Sequence, residues 1–245
     1  MFLFKSLRTG EANLHTGDFR ACDTVYMSMK ELRHLRGGGI TTLHLDTTYC
    51  SPNYVFPSQE KVLNWVRETV VKFVNRYPKS LICCGAYFIG KERIALALAN
   101  AIGVKIFVDN RRMKTMKQLE WSELEEKLTD DAMATPLHIV SMGSLKENVL
   151  SKYKGNVSKN IDIVLAIRPT GWTHKANRTL VDVQPQLSKS GSFATLGVPY
   201  SEHSSFAELQ RFVRWLKPQS VLPHVNVGSS ESRERQNKLI KPWTK

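Results

Sequence analysis

Apolar residues along this chain fall into two rhythms. Alternation with a period of two marks residues 2–6 and 12–15, joined by a turn at Thr9-Gly10, and more cleanly the run Thr41-Thr42-Leu43-His44-Leu45-Asp46. Helical spacing takes over after Ser58, a good N-cap with Glu60 in the first turn. Val62, Val66, Val70, Phe73 and Val74 then share one face until Pro78 stops the run. Residues 81–87 predict a buried strand. Gly90 precedes a second helix, whose Ile94, Leu98 and Ile102 form an apolar stripe ended by Gly103. Residues 105–108 predict another strand, and residues 110–131 a charged, mostly helical and exposed stretch.

The second half continues the alternation. A short strand is predicted over 137–141 and a strong one over 161–167, followed by the loop Arg168-Pro169-Thr170-Gly171-Trp172-Thr173-His174. Residues 175–191 are polar with little helical pattern, and 192–198 read as a strand. Ser205-Phe206-Ala207-Glu208 is a capping box. It opens a helix with Phe206, Leu209, Phe212, Val213 and Leu216 on one face, closed by Pro218. A last strand is predicted over 221–225, and a polar tail follows Gly228.

Strand–helix alternation over 58–108 implies an inserted α/β unit. The flanking strands, in 2–46 and 192–227, imply a second sheet completed from both ends of the chain. The expected division is therefore residues 1–57, an insertion at 58–185, a return at 186–228, and a tail at 229–245.

Composition narrows the class. With 245 residues and 42 % hydrophobic side chains the chain has enough apolar surface for a packed core. No apolar run approaches the roughly 18 residues of a membrane span, and Met1-Phe2-Leu3-Phe4 is too short for a signal peptide. The formal net charge of +13 favours a polyanionic partner, against the alternative of a solvated basic surface. Cys22, Cys50, Cys83 and Cys84 show no C-x-x-C spacing, which argues against a structural zinc and for reduced thiols.

Candidate chemistry sits where strands end. Asp18 follows a strand and a glycine, in Leu14-His15-Thr16-Gly17-Asp18-Phe19-Arg20; it reads as a ligand for a divalent metal or as an Asx-turn. Asp46 ends the next strand, to orient a metal-bound imidazole or simply to cap. His203, in Tyr200-Ser201-Glu202-His203-Ser204-Ser205, stands two residues before a capped helix, where backbone N–H groups favour phosphate. An imidazole there suits metal ligation or proton transfer. His138 interrupts an apolar strand and is either a core histidine or a functional one. His15 and His44 read as structural. Trp172 is a base-stacking or a core residue. Gly85 to Lys91 lacks the phosphate-loop spacing because Glu92 follows Lys91, leaving Lys91 as a candidate phosphate contact.

Taken in order, L-H-T-G-D-F-R, L-D-T-T-Y-C-S-P, Y-F-I-G-K-E, R-P-T-G-W-T-H and P-Y-S-E-H-S-S resemble the DNA cross-link repair nucleases, metallo-β-lactamase proteins with a β-CASP insertion. The likeness is to the interstrand cross-link repair exonuclease type, a relative of Artemis, and covers roughly residues 1–228. It implies an α/β fold, a partial metallo-β-lactamase αββα sandwich with an inserted α/β β-CASP domain. It also implies 5′-to-3′ cleavage of DNA in a nucleus, with one or two zinc ions as cofactor and damaged single- or double-stranded DNA as partner.

Carried over, the resemblance makes Asp18 and His203 metal ligands, and Asp46, His138 and His203 the catalytic residues. Arg20, Lys91, Ser201, Ser204 and Ser205 are the candidate contacts to DNA phosphates. One departure is large: the H-x-H-x-D-H signature that supplies most metal ligands in such proteins is missing from this sequence. The expectation is a truncated chain with little or no nuclease activity alone. Two other readings remain, a catalytically dead DNA-binding module and an RNA-processing β-CASP nuclease or lactamase-like hydrolase.

Overall fold

A computed structural model describes residues 1–171 and 179–244. Trp172 and His174, singled out in the sequence, lie outside the described residues. From the amino terminus come β1 (Phe2–Lys5), β2 (Ala12–His15), the short helices α1 (Asp23–Ser28) and α2 (Lys30–Leu35), and β3 (Thr42–Leu45). Next are α3 (Gln59–Arg76), β4 (Ser80–Ala86), α4 (Glu92–Ile102), β5 (Ile106–Phe107), α5 (Asn110–Lys117), α6 (Ser122–Glu125) and β6 (Leu128–Thr129). Then follow β7 (Leu137–Ser141), α7 (Glu147–Val157), β8 (Ile163–Pro169), β9 (Gln186–Leu187) and β10 (Phe193–Val198). The chain continues with α8 (Phe206–Leu216), β11 (Ser220–Pro223) and α9 (Ser230–Ile240). The result is a mixed α/β protein with two sheets, in two compact units: residues 1–56 with 201–245, and residues 57–200. None of the described helices is long and apolar enough to cross a membrane.

The first unit is built on the sheet β1-β2-β3-β11. β1 and β2 pair antiparallel, while β2 and β11 flank β3 in parallel. Leu14, Leu43 and Leu45 alternate onto one face and pack with Leu209, Phe212, Val213 and Leu216 of α8. That helix starts where the sequence said, with Ser205 and Glu208 forming a reciprocal capping box. The tail is not loose: α9 and the 3-10 turn after it carry Ile240 and Trp243 into the same core, both nearly fully buried. Two apolar residues spaced three apart in a polar run are a weak signal, which is why the sequence read only as a tail.

The second unit holds a seven-stranded sheet of order β6-β5-β7-β4-β8-β10-β9, parallel apart from the β9 edge. Every residue of β4 is buried, as a central parallel strand flanked on both faces requires. Ile82 and Cys84 face α3 and α4, whereas Leu81 and Cys83 face Leu145 and Leu150 ahead of and within α7. α3 begins at Ser58, whose hydroxyl accepts from Lys61 N, and α4 closes on Gly103 in the left-handed region at φ 70°.

The sheet assignment of β10 differs from the sequence expectation. The strand predicted over 192–198 was given to the flanking sheet, with 186–228 as a return segment. Instead Phe193–Val198 pairs in parallel with β8, residue for residue from Val164 to Pro169. An apolar run predicts burial but not which neighbour supplies it.

Burial sets thiol reactivity. Desolvation pushes the thiols of Cys50, Cys83 and Cys84 up to about 12, while Cys22 is exposed. Iodoacetamide at pH 8 should therefore alkylate only Cys22 in the folded protein, with the other three reacting after denaturation. Mass spectrometry showing native labelling at Cys83 or Cys84 would contradict this packing.

Candidate metal centre

Parallel pairing of β2 with β3 puts His15 beside His44, so the chain leaves both strands at the same edge of the sheet. Asp18 and Asp46 are carried there by the first residues after each strand. Gly17 makes the turn at φ 58°, with its N–H donating to His15 Nδ1 at 3.0 Å. Asp46 N–H donates to Thr16 Oγ1 at 3.0 Å, stitching one strand end to the other. His203 arrives from the loop ahead of α8. One ligand atom from each of Asp18, Asp46 and His203 lies within 4.8 Å of the other two.

The three side chains are not equivalent. Asp46 is buried, with 3 % of its side chain exposed, and is fully engaged. Its Oδ2 accepts from His203 Nδ1 at 2.7 Å and from Phe19 N–H at 3.4 Å; its Oδ1 accepts from Thr48 N–H at 3.0 Å and Thr48 Oγ1 at 2.6 Å. Burial alone would raise its carboxyl. The hydrogen bonds from His203 and Thr48, with the charge of His203, outweigh that and hold it below the usual carboxylate value. Asp18, in contrast, is 80 % exposed, and its Oδ2 stands 4.0 Å from His203 Nε2.

With Asp46 accepting the Nδ1 proton, Nε2 of His203 faces Asp18. The donor types suit a divalent metal: a carboxylate at Asp18 and an imidazole at His203, with Asp46 hydrogen-bonded to the ring.

Four of the residues expected to bind phosphate, Arg20, Ser201, Ser204 and Ser205, frame the centre. Ser204 Oγ donates to Phe19 O and accepts from Ala21 N–H, both at 2.8 Å, so the Asp18 loop is tied to the His203 loop. Arg20, with 7 % of its side chain exposed, pairs with Glu208 at 2.9 Å and donates to Ser201 O at 3.0 Å. Ser201 Oγ closes a turn onto the backbone of His203. Ser205 Oγ donates to Glu208 Oε2, and Ser205 N–H does the same, so this helix start is capped by its own residues. Lys91, in the other unit, is buried against the ring and carbonyl of Tyr200. Arg20, Lys91, Ser201, Ser204 and Ser205, expected as phosphate contacts, thus have polar ends engaged within the protein.

His138, expected among the catalytic residues, is held inside the fold. It is fully buried in β7 of the other unit, where Tyr153 donates to its Nδ1 at 2.7 Å and its Nε2 faces Thr135 O at 2.9 Å. Sequence reasoning also passed over Thr48 and Thr16, which saturate and place Asp46, although the T-T after L-D is a visible donor pair. It passed over His224 as well. That ring meets His44 across 2.9 Å and His15 edge-on at 4.6 Å. Desolvation first, and then the neighbouring imidazoles, hold His44 and His224 below the ordinary histidine value.

Comparison with known proteins finds relatives among DNA repair proteins. Residues 122–229 match the family described as DNA repair metallo-beta-lactamase. The chain is 41 % identical over 244 residues to the DNA cross-link repair 1A protein of Mus musculus, covering 99 % of this chain and 23 % of that protein. It is 41 % identical over 239 residues to the DNA cross-link repair protein SNM1 of Arabidopsis thaliana, covering 97 % and 48 % respectively. The 5′ exonuclease Apollo of Gallus gallus is 33 % identical over 226 residues, 92 % of this chain and 42 % of that one. The chain therefore spans between about a quarter and a half of the length of these relatives.

Two substitutions check the structural assignments. Ser204→Ala leaves Phe19 O and Ala21 N–H without their buried partner and should cost about 1–3 kcal/mol in chemical denaturation. His138→Ala should cost at least about 2 kcal/mol in chemical denaturation. Burial holds His138 below its ordinary value, against the opposing pull of the Thr135 and Ala132 carbonyls. The unfolded chain then takes up the proton first. The stabilisation is whole above about pH 6.5 and drains as the pH falls below it; the variant should lose that part of the decline.

Proposed function

The chain belongs to the DNA repair metallo-β-lactamase family, and from that premise we propose that it is part of a metal-dependent DNA nuclease, a 5′-to-3′ exonuclease of interstrand cross-link or double-strand break repair acting in the nucleus. In this reading the four-stranded sheet is part of a metallo-β-lactamase αββα sandwich and residues 57–200 are the β-CASP insertion. The observation that carries the proposal is the convergence of Asp18, Asp46 and His203, 28 and 157 positions apart along the chain, with Asp46 fixing the imidazole and Nε2 turned toward Asp18. A bound zinc would supply Lewis acidity and a water of lowered pKa. Asp18 would hold the ion from the solvent side, His203 would complete its grip through Nε2, and Asp46 would keep the ring in the ligating tautomer. The net charge of +13 favours a DNA partner.

The ligand count favours a second reading for the 245-residue polypeptide by itself. A zinc site uses about three or four protein ligands, and with Asp46 committed to His203 and Thr48 this cluster offers two. We propose that this chain alone holds metal weakly, cleaves DNA slowly or not at all, and behaves as a DNA-binding module.

Zinc titration by calorimetry tests the site. Asp18→Ala and His203→Ala should abolish the binding that remains, and Asp46→Asn should weaken it by about 10–100-fold. Zinc binding that all three variants leave unchanged would remove the metal centre. On a 5′-phosphorylated oligonucleotide the purified chain should release little or no product; rapid cleavage that Asp18→Ala abolishes would overturn the proposed inactivity while upholding the nuclease.

A further inference from the structure

The loop after β4 exposes Tyr87, Phe88 and Ile89, at 67 %, 54 % and 56 % of their surfaces. Three consecutive large apolar side chains in water oppose the hydrophobic effect and mark a surface that is covered in use. The loop is also held from below with unusual care. Arg112, itself buried, donates to the carbonyls of Tyr87 and Phe88. Glu92, also buried, accepts from Gly90 N–H at 2.7 Å, and Gly90 turns the chain at φ 104°. Arg112 Nε and Glu92 Oε1 remain buried without a hydrogen-bond partner among the described residues. Burying two charged groups with orphaned atoms is unfavourable, and what this arrangement secures is a fixed backbone under outward-facing rings.

Position and charge indicate what the rings would meet. In the order β5-β7-β4-β8, the chain leaves β4 through α4 toward β5 on one side, whereas β7 connects through α7 to β8 on the other. The carboxyl end of β4 is therefore a topological switch point, where open parallel sheets bind ligands. The segment after β5 reaches the same edge, and its helix α5 presents exposed Arg111, Lys114 and Lys117. The Arg111 guanidinium lies 4.6 Å from the centre of the Phe88 ring. Rigid exposed aromatics bordered by cations are the combination that takes unpaired bases on the rings and phosphates on the charges.

We propose that Tyr87 and Phe88, with Arg111, form a stacking platform for single-stranded DNA. The proposal rests on the DNA reading above and deepens it: the substrate strand would be engaged unpaired, by its bases, at this loop. A partly duplex substrate would meet the platform with its single-stranded segment.

Fluorescence anisotropy of the 245-residue chain, with a labelled oligothymidylate and a duplex of equal length over a potassium chloride series, tests this. The Tyr87→Ala/Phe88→Ala variant should lose about tenfold or more in affinity for the oligothymidylate and little for the duplex. Arg111→Ala should also lower the salt slope on the single strand by about 0.7. Phe88→Trp should retain binding, and its added fluorescence should be quenched by oligothymidylate, a stacking signal independent of how the alanine variant folds. Unchanged single-strand affinity in a folded double alanine variant, or no quenching in Phe88→Trp, overturns the platform and leaves the DNA reading standing. Failure of the unaltered chain to bind either DNA at low salt overturns both.

Discussion

The hydrogen bond between Asp46 Oδ2 and His203 Nδ1, 2.7 Å long, is the constraint on which the rest of the candidate site depends. A buried carboxylate is tolerated only when its lone pairs are matched. Here the match is made by groups from three places in the chain: Phe19 N–H after β2, the backbone and side chain of Thr48 after β3, and the ring of His203 before α8. Satisfying one acid therefore fixes the relative positions of three segments. Ser204 and Arg20 fasten the same segments by separate bonds, so the arrangement does not rest on a single contact.

The same logic operates in the unit formed by residues 57–200. There the buried charged residues Glu92 and Arg112 bond to the backbone of the loop after β4, and the side chains left in water are apolar. In both units the polar residues that a motif reading picks out are largely internal braces. What the braces present is the carboxylate of Asp18 and the ring of His203 in one unit, and the rings of Tyr87 and Phe88 in the other.

Periodicity made the local structure legible. α3, α4 and α8 appear where helical spacing and caps put them, because Ser58, Gly103 and the Ser205–Glu208 box act within a few residues of themselves. Strand neighbours were not legible in this way, and β10 was given to the wrong sheet because pairing is a long-range property that its apolar residues do not encode. Helices α7 and α9 were missed because Leu150, Val157 and Ile240 are too few apolar residues to set a rhythm. At the candidate site the strand-end position of Asp18 and Asp46 was readable. Whether Arg20, Ser204 or His138 faces water or the interior was not, since the same residue types perform both tasks and only the three-dimensional partners decide.

Charge balance gives the two carboxylates a further meaning. With His203 neutral, the cluster carries the negative charge of Asp18 and Asp46 within a few ångströms, inside a chain whose net charge is +13. Asp46 is compensated by its donors, whereas Asp18 is left to solvent. A phosphodiester approaching the bare cluster would meet repulsion where the net positive charge of the chain attracts it. A divalent ion held by Asp18 and His203 would invert the local sign, because the ring is already fixed by Asp46 and the acid already exposed. In the proposed nuclease the metal would thus be a condition for the backbone to approach at all, before it takes any part in breaking a bond.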